Sequence, residues 1–488
     1  MADAPPAAAK PPTVTPPKLN PVRVPIVEEP VVERITDFRE IQHAYSPQDA
    51  VLEAKRCIQC RRPWCVEACP ISQDCREYIK LVAAEDYDGA AKVTLDGNPL
   101  ATSLCKVCYR YCEDSCVVKK KGVPIAIRHL KRSSLELGNS DLAYVASAPK
   151  GQRVAVVGGG PAGMMTAWEL GIRGYAVTVY EEEPRVGGLM QTIPAYRMTD
   201  ADVQTDRARF RNLDVTWVVD RRIGDGLTPE GLLKDGYLAV VVTIGTSAHR
   251  VLGLAGEDLP GVFPALQLLK KLNRGEPVQL GSKVVVVGGG DVAMDSIRSA
   301  MRLCQERDIT LVYRRSRAEM PADHEELHGA EEEGVKFLFQ RAPVQIVGNG
   351  HVSGLVVQSM ELGPPDASGR RAPVPVAGSE ETIPCDTLII AVGQKADLHG
   401  FEPALDLRIA SGGWPEGKQA GYETGIPGIF ATGGRSVVYA MGAATDAAIA
   451  VDKYLCAKRG ATPEARPDPF GGAGHFQLPA GYTAPIRS

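Results

Sequence analysis

The sequence has 488 residues, enough for about three compact units at roughly 150 residues each. With 44% hydrophobic and 23% charged residues it lies in the ordinary globular range, which excludes a largely disordered or fibrous chain. Lysine and arginine number 55 against 59 acidic residues, a net charge of -4, without the basic excess that nucleic-acid binding requires. No apolar run approaches the roughly 18 residues of a membrane-spanning helix, and the N-terminus lacks the layout of a secretory signal, so a cytoplasmic protein is expected.

Residues 1–35 read as a proline-rich tail or docking arm, with too little apolar surface to order by itself. Residues 36–148 read as a helical domain. SPQDAVLEAKR has the pattern of a helix capped by Ser46, and CREYIKLVAAEDYDGAAKVT keeps helical spacing. Of the 12 cysteines, all but Cys304, Cys385 and Cys456 fall between Cys57 and Cys116. Thiols clustered in this way point to metal or iron–sulfur ligands rather than disulfides. The runs are Cys57-x2-Cys60-x4-Cys65-x3-Cys69-Pro70 and Cys105-x2-Cys108-x3-Cys112-x3-Cys116. Both resemble 4Fe-4S sequences. Two four-thiolate zinc sites are the competing reading.

From Gly151 onward the texture is α/β, with valine-rich strands alternating with helices. RVAVVGGGPAGMMTAWEL at 153–170 and KVVVVGGGDVAMDSIRSA at 283–300 share a plan of strand, glycine turn and helix, which predicts two dinucleotide sites. The first turn is Gly158-x-Gly160-Pro161-Ala162-Gly163, with Glu181 at the end of the next strand, where an acid that binds a ribose hydroxyl belongs. The second is Gly288-x-Gly290-Asp291-Val292-Ala293. Its next strand ends instead in Arg314 and Arg315, guanidinium forks suited to a 2′-phosphate, which favours NADP over NAD. The bland alternative for that pair is a solvated strand end.

Six stretches together resemble the small (beta) subunit of bacterial glutamate synthase and its relatives in dihydropyrimidine dehydrogenase and NADH-dependent ferredoxin:NADP oxidoreductase. They are AKRCIQCRRPWCVEACP, GGGPAGMMTAWEL with GGLMQTIPAYRM, VVVVGGGDVAMD, VYRRSRAEMPA and IPGIFATGG. The resemblance implies an α/β fold in which a helical domain with two 4Fe-4S clusters precedes two Rossmann-like domains. It implies an FAD domain at 149–280 and 386–460, an NAD(P) domain at 281–385 and a C-terminal tail at 461–488. It implies Cys57, Cys60, Cys65 and Cys116 as ligands of the first cluster, and Cys69, Cys108 and Cys112 as ligands of the second. The fourth ligand position of the second cluster is occupied by Lys131, which when protonated has no lone pair for iron. Cys105 is the expected substitute and Cys75 the runner-up. Gly188, Leu189, Gly393, Gly433 and Gly434 are expected around the flavin, with Gly434 standing where the family usually has an aspartate.

The expected function is electron transfer between NADP(H), or NAD(H), and iron–sulfur clusters by way of FAD, with no catalytic acid–base pair. No nucleophile elbow or separate substrate domain is visible, so a partner subunit is expected to consume the electrons. That partner is the large subunit of glutamate synthase or, alternatively, another iron–sulfur enzyme such as a 2-oxoacid:acceptor oxidoreductase. A non-catalytic redox sensor is the reading from a different class.

Overall fold

Valine-rich runs bounded by glycine form the centres of two parallel sheets. In the first, Arg153–Val157 lies between Ala176–Tyr180 and Ala239–Val242, with Val215–Val218 and Ile429–Ala431 at the edges. In the second, Lys283–Val287 lies between Thr387–Ile390 and Asp308–Tyr313, with Val262–Pro264 and Lys336–Phe339 at the edges. Parallel strands need both faces covered. The helices Pro161–Ile172 and Val437–Lys458 pack together over one face of the first sheet. Asp291–Leu303 covers the second, whose other face meets an antiparallel sheet that includes Arg341–Gly348 and Val352–Pro365. The computed structural model describes residues 20–366, 369–417 and 421–471.

The second unit is inserted between Ala239–Val242 and Ile429–Ala431 of the first. Its sheet takes in Val262–Pro264 and Thr387–Ile390, which corrects the expected limits of 281 and 385. Neither of these two strands carries a glycine turn of its own, so motif spacing does not mark them. Where the chain crosses between units, the two passages pair antiparallel, Ala248 with Lys395 and His249 with Gln394.

The N-terminal unit is helical, with Pro47–Ala54 capped by Ser46 Oγ accepting from Asp49 N at 3.2 Å. The long stretch of helical spacing divides into Cys75–Ala83 and Tyr87–Asp96, because Glu85 adopts a positive φ and the Asp86 carboxylate starts a new helix. The tail is ordered from Asn20, contrary to expectation, because it is held through polar groups rather than apolar area. Arg56 Nε donates to Asn20 O, Val24 N to Glu53 and Arg23 to Glu113. At the other end, Val145 N donates to Pro469 O, and the Phe470 ring lies 5.5 Å from that of Tyr144. The remainder of both expected tails, residues 1–19 and 472–488, lies outside the described residues.

A lattice of arginines and carboxylates joins the units around the acidic helix His324–Glu332 and the adjoining Glu333. From the N-terminal unit, Arg34 reaches Glu332 at 2.7 Å and Glu333 at 3.2 Å, Arg110 reaches Asp323 at 2.7 Å, and Arg128 reaches Glu325 at 2.7 Å. From the first sheet unit, Arg197 bridges Asp295 at 2.6 Å and Glu326 at 2.9 Å. Arg298 and Arg302 complete the set, at 2.6 Å and 3.2 Å from Glu333, whose side chain has no exposed surface. Burial works to raise the Glu326 and Glu333 carboxyls, but the neighbouring guanidiniums hold both below the usual range. Removing one partner of such a set leaves buried charge uncompensated. Glu333→Gln should therefore cost about 3–5 kcal/mol by denaturant titration; an unchanged midpoint would show that the lattice does not hold the units together.

Candidate functional site

A cavity of about 710 Å³ opens between the two sheet units and the helical unit. The first sheet unit contributes Gly158, Gly160, Pro161, Ala162, Glu181, Gly188, Leu189, Gly433 and Gly434, the inserted unit contributes Asp291 and Val292, and Gly393 follows the inserted unit's last central strand. The first turn depends on its glycines. Gly158 has φ +107, and a Cβ on Gly163 would stand 1.8 Å from the Gly158 carbonyl oxygen. Gly163 therefore lies under the turn rather than in the cavity. This packing brings the N-terminus of the helix Pro161–Ile172 to the cavity, where free amide groups favour a pyrophosphate. The Glu181 carboxylate accepts from Gly159 N at 2.7 Å and Glu183 N at 2.9 Å, and burial pushes it up to about 7.

Gly434 has a steric cause. A Cβ there would lie 2.4 Å from the Ala440 nitrogen, so the turn rests directly on the first turn of Val437–Lys458. The helix is capped by Ser436 Oγ, which accepts from Tyr439 N. A Cβ on Gly433 would likewise meet the Trp414 ring at 2.8 Å.

In the second turn Gly288 has φ +150, and a Cβ would stand 2.3 Å from Ala391 O. Gly288, Gly290 and the fully buried Ala293 shape the turn from beneath, while Asp291 and Val292 face the cavity. The two arginines separate. Arg314 is exposed and makes no hydrogen bond or ion pair among the described residues. Arg315 is buried, donates to Arg371 O at 2.7 Å and pairs with Asp366. Neighbouring strand-end side chains point to opposite faces, so the structure does not bring the two arginines together.

Cys57, Cys60, Cys65 and Cys116 surround a small cavity with Trp64, Arg76 and Ile127. Cys69, Cys108 and Cys112 form a second group, with Lys131 beside Cys108. All are free thiols, and burial pushes Cys57 and Cys69 up to about 12. A metal has to displace those protons, which thiolate donors allow. Among the described residues no three of these side chains are gathered as the ligands of one ion would be. Soft thiol donors in two such groups are the ligands that iron–sulfur clusters require.

Cys105 joins neither group. It lies inside the helix Ala101–Val107, its thiol donates to Thr102 O at 3.1 Å, and it packs with Leu95, Ala101 and Leu135. Cys108 is the extended residue that ends the same helix, so a spacing of two does not carry both thiols to one place.

Tyr109 was missed by sequence reading, although two tyrosines inside a cysteine turn are a signal. Its side chain lines the large cavity and its hydroxyl donates to the Asp291 carboxylate, which burial pushes up to about 7. Tyr109 and Tyr111 stack with ring centroids 6.1 Å apart, and Tyr111 meets Tyr439 edge-on at 5.0 Å. The second thiol group and the cavity therefore share a wall.

Residues 34–141 match the family described as dihydropyrimidine dehydrogenase domain II, 4Fe-4S cluster, and residues 152–452 match the pyridine nucleotide-disulphide oxidoreductases. The chain is 33% identical over 427 residues to the glutamate synthase [NADPH] small chain of Escherichia coli K12, covering 82% of this chain and 89% of that protein. It belongs to the glutamate synthase small-chain family. Within reach of the same family is the NADP(+)-dependent formate dehydrogenase subunit beta of Moorella thermoacetica, 36% identical over 425 residues. That match covers 80% of this chain, which spans only 60% of the Moorella protein. FprA of Mycobacterium tuberculosis, solved with NADPH, shares the fold of the two sheet units. Its TM-score is 0.53 at 22% identity, over 66% of this chain and 88% of FprA. Among the described residues no helix is long and apolar enough to cross a membrane.

Gly434→Asp, which restores the family's usual residue, should lower flavin content and melting temperature because of the Ala440 contact. Unchanged 450 nm absorbance and melting would show that the turn has room. The Asp291 carboxyl titrates above its unfolded value of about 3.9. Its contribution to stability is therefore full below about pH 4 and lost as pH rises through about 7. The melting temperature of the native chain should fall more between pH 6 and 8 than that of Asp291→Asn; parallel curves would assign the titration elsewhere.

Proposed function

We propose that this chain is the NADP(H)-linked electron-transfer subunit of a larger iron–sulfur oxidoreductase, holding FAD and two 4Fe-4S clusters. The observation that carries the reading is Tyr109, adjacent in sequence to Cys108 and hydrogen-bonded to Asp291, in the cavity that both glycine turns adjoin. FAD, when bound, exchanges a hydride with a nicotinamide and single electrons with iron–sulfur clusters.

The chain's own residues would then divide the work. Gly158, Gly160, Pro161 and Ala162 present backbone amides to a pyrophosphate, and Glu181 accepts from a ribose hydroxyl. Gly188, Leu189, Gly393, Gly433 and Gly434 supply a wall with little side-chain bulk, and Trp414 and Tyr109 exclude water from it. Gly288, Gly290 and Ala293 let a second dinucleotide approach the helix beginning at Asp291 and Val292. Arg314, which makes no hydrogen bond or ion pair among the described residues, is the cation for a 2′-phosphate. Cys57, Cys60, Cys65 and Cys116 would ligate one cluster, and Cys69, Cys108 and Cys112 three corners of the other.

The partner we infer is a separate catalytic subunit that takes up single electrons. The large subunit of glutamate synthase fits the family. Another iron–sulfur oxidoreductase fits the substitution of Lys131 beside Cys108, a departure from the family's ligand pattern. Mass spectrometry of subunits that co-purify with the tagged chain separates the two.

Purified without oxygen, the protein should hold about eight irons with acid-labile sulfide and reduce a dye with NADPH at a steady rate. Zinc without sulfide would overturn the cluster reading, and no turnover would leave a sensor. Arg314→Ala should raise the KM for NADPH by about tenfold or more and leave that for NADH unchanged. Arg315→Ala, by loosening the Asp366 contact, should act on stability without discriminating between coenzymes; the reverse pattern would return the clamp to Arg315.

A further inference from the structure

The inserted unit carries a hairpin whose tip reaches the large cavity. Its strands, Val352–Pro365 and Arg371–Pro375, run antiparallel, with Leu362 opposite Pro373 and Pro365 opposite Arg371. At the tip, Asp366 N donates to Arg370 O at 2.8 Å, and Gly369, with φ +77, donates through its N–H to Asp366 O at 2.9 Å. The tip is tied to the end of the strand Asp308–Tyr313. Arg315 reaches it twice, pairing with the Asp366 carboxylate and donating to Arg371 O at 2.7 Å. Arg370 therefore stands between the two residues that Arg315 holds, and Arg314 precedes Arg315 on the strand end.

The two arginines of the tip face different ways. Arg371 pairs with Glu319 at 2.6 Å, whereas Arg370 is half-buried and lines the cavity together with Asp291, Val292 and Pro321. These residues surround the second glycine turn, where a Cβ on Gly290 would lie 3.9 Å from the Pro321 ring. The carboxylates of this wall each have a donor of their own. Asp291 accepts from the Tyr109 hydroxyl, Asp295 pairs with Arg197 at 2.6 Å and Asp323 with Arg110 at 2.7 Å. Arg370 is thus not required to neutralise them, and its charge is brought to the place where the second dinucleotide turn opens.

We propose that Arg370 is a second cation for the 2′-phosphate of NADP(H), so that the phosphate is gripped by arginines from two separate segments, Arg314 at the strand end and Arg370 at the hairpin tip. The inference rests on the NADP reading of the second turn. A guanidinium presents paired N–H donors that match phosphate oxygens, so two such forks separate a phosphate from a neutral hydroxyl far better than one. NADH carries that hydroxyl at the same atom and gains little from Arg370. Arg315 keeps its part in stability, because the pairing of Pro365 with Arg371 and the Glu319 contact also hold the tip.

The test measures, by calorimetry on the anaerobically purified holoprotein, the binding of two adenosine fragments of the coenzymes: 2′,5′-ADP, which carries the 2′-phosphate, and 5′-AMP, which lacks it. The native chain should bind 2′,5′-ADP the more tightly. Arg370→Ala should weaken 2′,5′-ADP by about tenfold or more and leave 5′-AMP unchanged, which also shows that the site is still folded. Arg370→Lys, which keeps the charge but not the fork, should recover part of the loss. Unchanged 2′,5′-ADP binding in Arg370→Ala would overturn the inference, as would an equal loss for both nucleotides, the result expected of a disturbed hairpin. A native chain that binds the two nucleotides equally would instead defeat the NADP reading itself.

Discussion

The structure depends on the burial of charge at one helix. His324–Glu332 brings a series of carboxylates to the junction of three units, and each unit answers with arginine. Such pairs gain little on the surface, but here the guanidiniums, Glu326 and Glu333 are largely removed from water, and their geometry can be satisfied only when all three units are docked. The lattice therefore specifies an arrangement more than it adds stability. It also explains how a helical unit with a modest core of its own is held against two sheet domains.

That arrangement gives the cavity its third wall. A pair of dinucleotide folds alone would leave the cleft open on the side where Tyr109 stands. Because Arg110 is bound to Asp323 while Tyr109 is bound to Asp291, two successive residues of one cysteine turn are fixed to the inserted unit. The thiols Cys108 and Cys112 are thereby held at a set distance from the cleft. The aromatic contacts Tyr109, Tyr111 and Tyr439 fill the interval with rings instead of water.

Much of this was legible in the sequence where the chemistry is local. The glycine turns, Glu181, the Ser46 cap and the grouping of the cysteines follow from spacing alone, since each depends on a few consecutive residues. What could not be read depends on partners distant in sequence. Arg315 looks like its neighbour until Asp366, 51 residues later, is seen to claim it. Cys105 has ligand spacing, but its rotation about the helix Ala101–Val107 sends it among Leu95 and Leu135. The tail from Asn20 was read by composition, which counts apolar area and overlooks arginine and backbone partners. The limits of the inserted unit escape motif spacing because neither Val262–Pro264 nor Thr387–Ile390 carries a motif.

The paired passages between the sheet units carry a mechanical meaning. Single-strand connections act as swivels, each able to turn about its own axis, whereas Ala248 and His249 bonded to Lys395 and Gln394 form a ribbon with one stiff direction and one compliant one. Bending across the ribbon is inexpensive, while twisting along it must break the ladder. With the helical unit clamped to the inserted unit as well, the chain has surrendered the rotational freedom that two linked domains would otherwise keep. Exchange of a dinucleotide must then proceed by yielding of the cleft's rim, and the rate of that exchange becomes a property of loop side chains rather than of whole domains in motion.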